Sequence, residues 1–515
     1  MDTESPAFPI FRQSSRTLKR WGTPALALLL TACGSPDMVA PKTPDDLASR
    51  ATMTVVAAPP TTAENARPGT HEWRLRDEAK NNEIAGYASA TSINRGESIN
   101  FYVSTGDAMF TLDLFRMGWY GGLGGRRMLA TQTLVGEKQA ECPLDKDTRM
   151  VQCRWHKSYT LTVPSDPDHS QWASGYYLAK LTGTGSGKQS YIIFVFRDDT
   201  RPSEVLMQAA VTTYQAYNPW GGTSLYSKPR AVKVSFDRPY ARGAGVGDFF
   251  YWEYSMLRFL EREGYDVTYS TNIDTHMHRP ASEHKLFLVA GHDEYWSWEM
   301  RDHVEAARDS GMNIAFFAAN ISYWQIRLED GPDGTPNRVQ VCYKHPKPYK
   351  DPYAEHTDST RFFTTTYFRR APVRRPESTL VGVMHQDGDP ADTDYKIVDP
   401  DSWVFEKTGL KTGDVLKGVV GYETDAIARS SPANVHVVAH SEFMVQRKKG
   451  LVLKTADAVT YVADSGATVF AAGSLQWAWG LDQPGQAQPF HPNRSSEAVM
   501  QITRNVINRS GAKPH

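Results

Sequence analysis

The sequence predicts a parallel doubly wound α/β domain over residues 201–515, preceded by an all-β, immunoglobulin-like sandwich over residues 71–200. In the earlier region, short runs of β-branched and aromatic residues alternate with Gly, Asn and Asp turns, which is typical of a sandwich. In the later region, apolar runs alternate with helical patterns, which predicts a parallel sheet covered by helices. A chain of 515 residues is also too long for one ordinary core.

The individual elements of both regions follow from local pattern. The runs that predict sandwich strands begin at Ile84, Ser98, Phe110, Tyr159, Gly175 and Ser190. The apolar runs that predict sheet strands of the second region are 204–211, 266–270, 285–291, 313–319, 435–439, 460–463 and 468–472. Helices are predicted over 249–263, 298–310 and 495–508, the first two ending at Gly264 and Gly311. Residues from about 330 to 430 are predicted to form an irregular insertion.

The N-terminus has the pattern of an export signal over residues 1–32. Basic residues precede a short apolar run over 24–30, and the run ends in Leu30-Thr31-Ala32-Cys33. This pattern predicts lipidation of Cys33 and a membrane-anchored protein on the periplasmic or cell-surface side; the alternative is a plain secretory signal with an incidental cysteine. Residues 33–70 are rich in Pro, Ala and Thr, which predicts a flexible tether.

Charge and cysteine content limit which binding partners and which cellular compartment we expect. The net charge of −1 gives no reason to expect binding to nucleic acid. Cys142 and Cys153 are close in sequence, and export favours a disulfide between them. The alternative is two free buried thiols.

Aromatic and polar side chains gather where the predicted strands end. In a doubly wound sheet, ligands bind beyond the carboxyl ends of the strands. The segments at these positions carry Tyr and Trp beside amide groups, which predicts a shared cleft for a small-molecule substrate. The predicted substrate-binding residues are Tyr217, Asn218, Trp220, Asn320, Trp324, Gln476 and Trp477.

The densest cluster of chemical groups is His292-Asp293-Glu294-Tyr295. It offers imidazole, carboxylate and phenolate groups to a metal, and we predict catalytic roles for His292, Asp293 and Glu294. In the structural alternative, Asp293 caps the following helix and Glu294 interacts with the helix dipole. The chain has no HExxH or GxSxG motif, and Cys342 lies in the insertion; a zincin and a nucleophilic hydrolase are therefore disfavoured.

Five segments together resemble the C-terminal domain of the N,N-dimethylformamidase large subunit over roughly 201–515. They are YQAYNPWGG at 214–222, LEREGYDV at 260–267, GHDEYWS at 291–297, AANISYWQ at 318–325 and GSLQWAWG at 473–480. The resemblance implies a glutamine-amidotransferase-like fold and a mononuclear iron, held by two Tyr and one Glu, that hydrolyses a small amide. Tyr295 matches one tyrosine, Glu423 matches the glutamate, and Tyr269 or Tyr254 is left for the second tyrosine. The characterised formamidase also needs a small subunit, and no segment of this chain matches one.

Two functions from different classes follow. The first is a metal-dependent hydrolase of a linear amide C–N bond, in which the iron polarises the carbonyl and His292 or Glu294 moves the proton. The second is a non-catalytic surface-binding lipoprotein that keeps the scaffold without the metal. Another metal-assisted reaction at the same cleft is a third option.

Overall fold

The computed structural model describes residues 60–165, 169, 171–344, 350–354, 359–386, 392–447, 450–482 and 490–515. The predicted signal peptide, the lipidation site at Cys33 and most of the tether lie outside these residues. The described residues belong to one compact unit, Ala57–His515.

The first part of this unit is an all-β region with a short helix before it. Its elements are α1 (Pro60–Asn65), β1 (Ile84–Ala88), β2 (Ser92–Ile93), β3 (Ser98–Thr105), β4 (Met109–Met117), β5 (Gly125–Arg127), β6 (Gln132–Val135), β7 (Tyr159–Thr162), β8 (Gly175–Gly183) and β9 (Gln189–Phe196). One sheet has the order β1-β3-β7, and the other has the order β2-β9-β8-β4-β5 with β6 paired to β4. The sheets share a core that includes Ile99, Phe101, Leu112 and Phe194, which is the sandwich arrangement.

The elements that follow carry the main sheet and its first crossovers. They are β10 (Val205–Ala209), α2 (Val211–Tyr217), β11 (Lys233–Ser235), α3 (Phe249–Trp252), α4 (Tyr254–Glu263), β12 (Val267–Thr271), α5 (Asn272–Met277), β13 (Leu286–His292), β14 (Tyr295–Ser297), α6 (Trp298–Asp309), β15 (Asn313–Ala319), β16 (Trp324–Glu329) and β17 (Val339–Val341). The caps agree with the sequence pattern: Gly264 ends α4 in the left-handed conformation, and the Ser297 hydroxyl caps α6.

The rest of the chain extends the sheet and closes the unit. Its elements are α7 (Ser378–Val381), β18 (Met384–His385), β19 (Thr393–Ile397), β20 (Val415–Val420), β21 (Asp425–Ala426), β22 (His436–Arg447), β23 (Gly450–Val462), β24 (Thr468–Ala471) and α8 (Glu497–Arg509). The region predicted as an irregular insertion therefore contains strands. Two of them, β19 and β20, belong to the main sheet.

The predicted parallel doubly wound fold is wrong, because the main sheet is mixed and the molecule is rich in β-structure. The sheet has nine strands in the order β12-β10-β13-β15-β24-β23-β22-β19-β20. The pairs from β12 to β24 are parallel, whereas those from β24 to β20 are antiparallel. The late apolar runs are joined by short turns rather than by crossover helices, and short turns can only connect antiparallel neighbours.

The predicted tether is also too long, because its last residues are packed against the rest of the unit. The helix α1 lies within the predicted tether, and the hydroxyl of Thr61 donates to the carbonyl of Val267 at 2.8 Å. Glu64 accepts hydrogen bonds from Arg126 and Tyr120. The Pro- and Ala-rich composition does not predict these contacts, because the contacts are made with residues far away in sequence.

A buried ion pair joins the sandwich to the main sheet. Arg116 on β4 makes two hydrogen bonds to Glu261 on α4, at 2.7 and 3.0 Å, and both side chains are fully buried. The carboxylate of Glu261 also accepts from Asn65 at 2.7 Å and from Tyr269 at 2.9 Å. A single carboxylate therefore connects α1, β4, α4 and β12.

Replacing Glu261 with Ala should destabilise the protein strongly. The change leaves the Arg116 guanidinium buried without its partner, and breaking such a pair costs about 3–5 kcal/mol. The midpoint of urea denaturation measures the effect. The control is Glu263→Ala on the same helix, which removes a partly exposed pair with Arg504 and should cost about 1 kcal/mol or less. Equal losses in the two variants would contradict this role for Glu261.

Candidate functional site

The candidate site is built on the turn that follows β13. Gly291 has φ of +73° and comes so close to Trp252 that an added Cβ would lie 2.4 Å from its Cβ, so only glycine fits at this point of the turn. The backbone N–H of Glu294 donates to the hydroxyl of Thr213 at 2.9 Å. The hydroxyl of Thr212 in turn donates to the carbonyl of Tyr295 at 2.7 Å. Helix α2 thereby fixes the position of the whole His292–Tyr295 turn.

Two tyrosine hydroxyls converge on one oxygen of Glu294. Tyr217, at the end of α2, donates to Oε2 at 2.8 Å, and Tyr226 donates to the same oxygen at 3.0 Å. The two rings are stacked with centroids 4.1 Å apart. Glu294 is 3% exposed, whereas Tyr226 is 36% exposed, so the cluster is open to solvent on the Tyr226 side.

A second carboxylate, Glu423, faces the same histidine. His292 Nε2 lies 2.8 Å from Glu423 Oε2 and 3.5 Å from Glu294 Oε2. The Asn320 amide donates to Glu423 Oε2 at 2.7 Å. Asn320 directly follows β15, so the carboxyl ends of β13 and β15 bring these groups together. Of the two carboxylates, Glu423 is the more exposed.

Lys344 completes the cluster from the region that was predicted to be an irregular insertion. Its ammonium group hydrogen-bonds to the hydroxyl of Tyr295, lies 3.3 Å from the ring centroid of Tyr226 and is 3.9 Å from Glu294 Oε1. Tyr295 in turn donates to the Tyr226 hydroxyl at 2.8 Å. Tyr295 is therefore linked to Glu294 only through the hydroxyl of Tyr226.

The charges of the cluster support one another. Burial opposes protonation of His292, but the carboxylates of Glu423 and Glu294 outweigh it and raise its pKa to about 10. Burial would raise the pKa of Glu423, yet His292 and His385 lower it to about 2. Burial likewise opposes ionisation of Glu294, and Lys344 and His292 hold its pKa below the ordinary value. Burial lowers the pKa of Lys344, whereas Glu294 opposes that shift. At neutral pH the cluster therefore holds two carboxylates around a protonated His292.

Several predicted site residues have other roles. Asp293 is buried and accepts hydrogen bonds from Gln208 and Asn272; burial raises its pKa to about 6 despite these bonds. Asn218 donates to the side chain of Gln215 in α2 and to the carbonyl of Pro239, which follows β11. These contacts brace the backbone of the site, and neither side chain points into the cluster.

Of the three predicted tryptophans and Gln476, some lie beside the cluster and others lie away from it. Trp324 packs on Tyr367 with Lys344 Nζ 5.3 Å from its ring, which places it beside the cluster. Gln476 contacts the backbone near Glu423 and bonds to Asp392. The prediction is wrong for Trp477, which packs in the core against Phe317 and Phe470, and for Trp220, which contacts Asn82 and Trp155 of the sandwich.

The proposed second tyrosine ligand is also corrected. Tyr269 hydrogen-bonds to Glu261 on the side of the sheet that meets the sandwich. Tyr254 donates to the carbonyl of Gly124 at 2.9 Å. Sequence reasoning missed Tyr226, Lys344 and the buried His385, whose Nδ1 is 3.7 Å from Asp425 Oδ1. Tyr226 lies shortly after the recognised segment 214–222, in the loop that follows α2, but no local signal marks Lys344 or His385.

Two properties of the described residues bear on metals and membranes. Among them, no group of three His, Cys, Asp or Glu side chains is arranged to hold a metal ion. None of the helices that the structure describes has the length and apolar character needed to cross a membrane.

Fold and site together define a β-rich protein with a mixed central sheet and a buried cluster of tyrosine, carboxylate and histidine side chains at the ends of its parallel strands. The family model described as N,N-dimethylformamidase beta subunit-like, C-terminal, matches residues 111–491, and the chain belongs to this family. The match begins within β4, so it includes part of the sandwich as well as the expected region. No curated protein matches the chain.

A further buried carboxylate, Glu253, supports the helix that carries Tyr217. It accepts the backbone N–H of Ala210, at the start of α2, at 3.1 Å and the hydroxyl of Tyr176. Complete burial raises the pKa of Glu253 to about 8, although these hydrogen bonds oppose the shift. The folded protein therefore binds this proton more tightly than the unfolded chain does.

The stability contributed by protonated Glu253 should be fully present below about pH 4, the pKa of an unfolded glutamate, and lost as the pH rises through about 8. Glu253→Gln removes this titration. The wild-type unfolding midpoint should fall relative to that of the variant between these two pH values. The exposed Glu283→Gln should follow the wild type at every pH. A constant difference between wild type and Glu253→Gln would show that Glu253 does not titrate in this range.

Proposed function

We propose that this protein hydrolyses a linear amide C–N bond with the help of a bound iron ion. The observation that carries the proposal is the convergence of the Tyr217 and Tyr226 hydroxyls on Glu294 Oε2, beside His292 and Glu423. Family membership supports the reaction class, because the formamidase that names the family acts on an amide.

The residues of the cluster fit a ferric ion. Phenolate and carboxylate oxygens are hard donors, and a bound cation can keep tyrosine deprotonated. Without a metal, burial and Glu294 hold the pKa values of Tyr217 and Tyr226 well above the ordinary value, so these hydroxyls depend on a cation for ionisation. We therefore propose Tyr217, Tyr226 and Glu294 as the ligands. Tyr295 and Glu423, the ligands expected from sequence, remain as the competing set.

The bound iron would supply Lewis acidity that polarises an amide carbonyl. His292 lies between Glu423 and Glu294, and these carboxylates keep it protonated at neutral pH. It is therefore suited to donate its proton to the leaving nitrogen, and the neutral imidazole that remains can take a proton back from water. Lys344 holds the Tyr295 hydroxyl in place and lowers the cost of burying Glu294.

One observation favours the rival function, a non-catalytic binding protein on the same scaffold. His292, whose pKa the two carboxylates raise to about 10, gives Glu423 and Glu294 a cationic partner without a metal ion. In that case the solvent-open side near Tyr226 would bind a small polar ligand without converting it. The iron content of the purified protein distinguishes the iron-dependent hydrolase from the non-catalytic binding protein.

Purified protein should contain about one iron per chain and show a visible tyrosinate-to-iron absorption. Tyr217→Phe, Tyr226→Phe and Glu294→Gln should each lose most of the iron while circular dichroism stays native. The matched controls are Tyr295→Phe and Glu423→Gln, which should keep the iron, and Glu423→Gln should lose amide hydrolysis. Elemental analysis and absorption spectra measure the outcome.

The opposite pattern is equally informative. Loss of iron in Tyr295→Phe and Glu423→Gln, with iron retained in Tyr217→Phe, would replace the proposed ligands by the competing set. A colourless protein that takes up no iron when it is supplied would leave the binding function ahead.

We also propose that the protein is exported and anchored through a lipid on Cys33. The basic flank, the apolar run and the Leu-Thr-Ala-Cys sequence support this proposal. Wild-type protein should sediment with membranes, and Cys33→Ala should appear in the soluble exported fraction. Equal solubility of the two proteins on cell fractionation would rule out the anchor.

A further inference from the structure

The outer face of the three-stranded sandwich sheet carries aromatic residues that the sandwich core does not need. Along β3, Ile99, Phe101 and Val103 point into the core. Strand alternation therefore places Asn100 and Tyr102 on the opposite face. Tyr102 is directly paired with Tyr87 of β1 in the register of the two strands, so two tyrosines lie side by side on the face of the sheet away from the sandwich core, where Tyr87 is buried and Tyr102 is half-buried.

These tyrosines form an aromatic cluster with a third ring. The rings of Tyr87 and Tyr102 are stacked with centroids 4.8 Å apart, and Trp155 lies 5.4 Å from Tyr87. The indole N–H of Trp155 donates to the carbonyl of Ala140 at 2.9 Å. This arrangement fixes the rings in position before any ligand arrives.

The loop that supplies Trp155 is held by covalent and backbone bonds. Cys142 and Cys153, the predicted pair, form a disulfide. The backbone N–H of Cys153 donates to the carbonyl of Asp237 at 2.8 Å, which ties the loop to the second part of the chain. A cleft of about 710 Å³ lies at this junction, within the roughly 300–1,000 Å³ of small-molecule sites.

The walls of the cleft combine the aromatic rings with planar polar groups. Asp237 accepts two hydrogen bonds from Arg338, at 2.7 and 2.9 Å, and one from Gln152 at 3.0 Å. The other charged residues that line the cleft are Arg154 and Asp333. Two arginines therefore face two aspartates, and the cleft has no net charge to attract an ion.

We propose that this cleft binds a neutral oligosaccharide. The C–H faces of a sugar ring pack well on aromatic side chains such as the half-buried Tyr102, and its hydroxyls need hydrogen-bonding groups such as those of Asn100 and Arg154 in the walls of the cleft. The polar walls favour a ligand with many hydroxyls over a purely apolar one, and the equal numbers of arginines and aspartates give no net charge that would favour an ionic ligand. The inference does not depend on the proposed amide hydrolysis, because the cleft shares no residue with that site.

Isothermal titration calorimetry of the purified full chain tests the proposal with maltotriose, cellotriose and triacetylchitotriose as probes, and with trigalacturonate as the charged comparison. At least one neutral trisaccharide should bind. Tyr102→Ala should weaken that binding by about tenfold or more. The matched control is Tyr159→Ala, which removes another half-buried tyrosine of the same sheet that stacks on Phe101 instead and should bind like the wild type.

A second variant tests the cleft independently in case Tyr102→Ala does not fold. Asp237→Asn keeps the shape of the cleft but breaks the balanced pair with Arg338, and it should also weaken binding while the melting temperature reports the folded state. The proposal is overturned if none of the neutral probes binds, if trigalacturonate binds more tightly than all of them, or if Tyr102→Ala and Tyr159→Ala bind equally well.

Discussion

The buried pair of Arg116 and Glu261 is the interaction on which the rest of the structure depends. It lies where β4 of the sandwich meets α4, and neither side chain touches solvent. The backbone has adapted to it: an added Cβ at Gly118 would lie 2.4 Å from Glu261, and one at Gly175 would lie 2.9 Å from Arg116. A buried charge pair is favourable only when its geometry and hydrogen bonds are complete, so this contact specifies how the two parts of the chain meet.

The functional site inherits its geometry from that junction. Apolar residues from β8 and β9 of the sandwich share one continuous core with β10, β12 and α4. Glu253, between α3 and α4, binds both Tyr176 of the sandwich and the start of α2. Helix α2 then positions Tyr217 and the Glu294 turn. The sandwich therefore acts as a support for the site, in keeping with a family match that begins within β4.

The cluster around Glu294 places several charged groups in a largely buried space, and pairing of opposite charges makes their burial possible. The protonated His292 lies between the two carboxylates, so ion pairs offset part of the cost of desolvation. The same arrangement is compatible with the metal-dependent hydrolase and with the metal-free binding protein. The exposed edge of Tyr226 and the position of Glu423 set the side from which a ligand can approach.

The sequence by itself determined the strands of the sandwich, the early strands and capped helices of the second region, and the family, because each depends on local pattern or on short motifs. It also located His292, Glu294 and Asn320 at strand ends. The disulfide between Cys142 and Cys153, which the sequence left open against two free thiols, is shown by the structure. Only the tertiary structure decided the mixed topology, because apolar runs do not record the direction in which strands pair. It also placed Tyr269 beside Glu261, away from the cluster, and brought Tyr226 and Lys344 to Glu294 and Tyr295. Such contacts leave no local trace, since they are made by packing of distant segments rather than by the residues beside them.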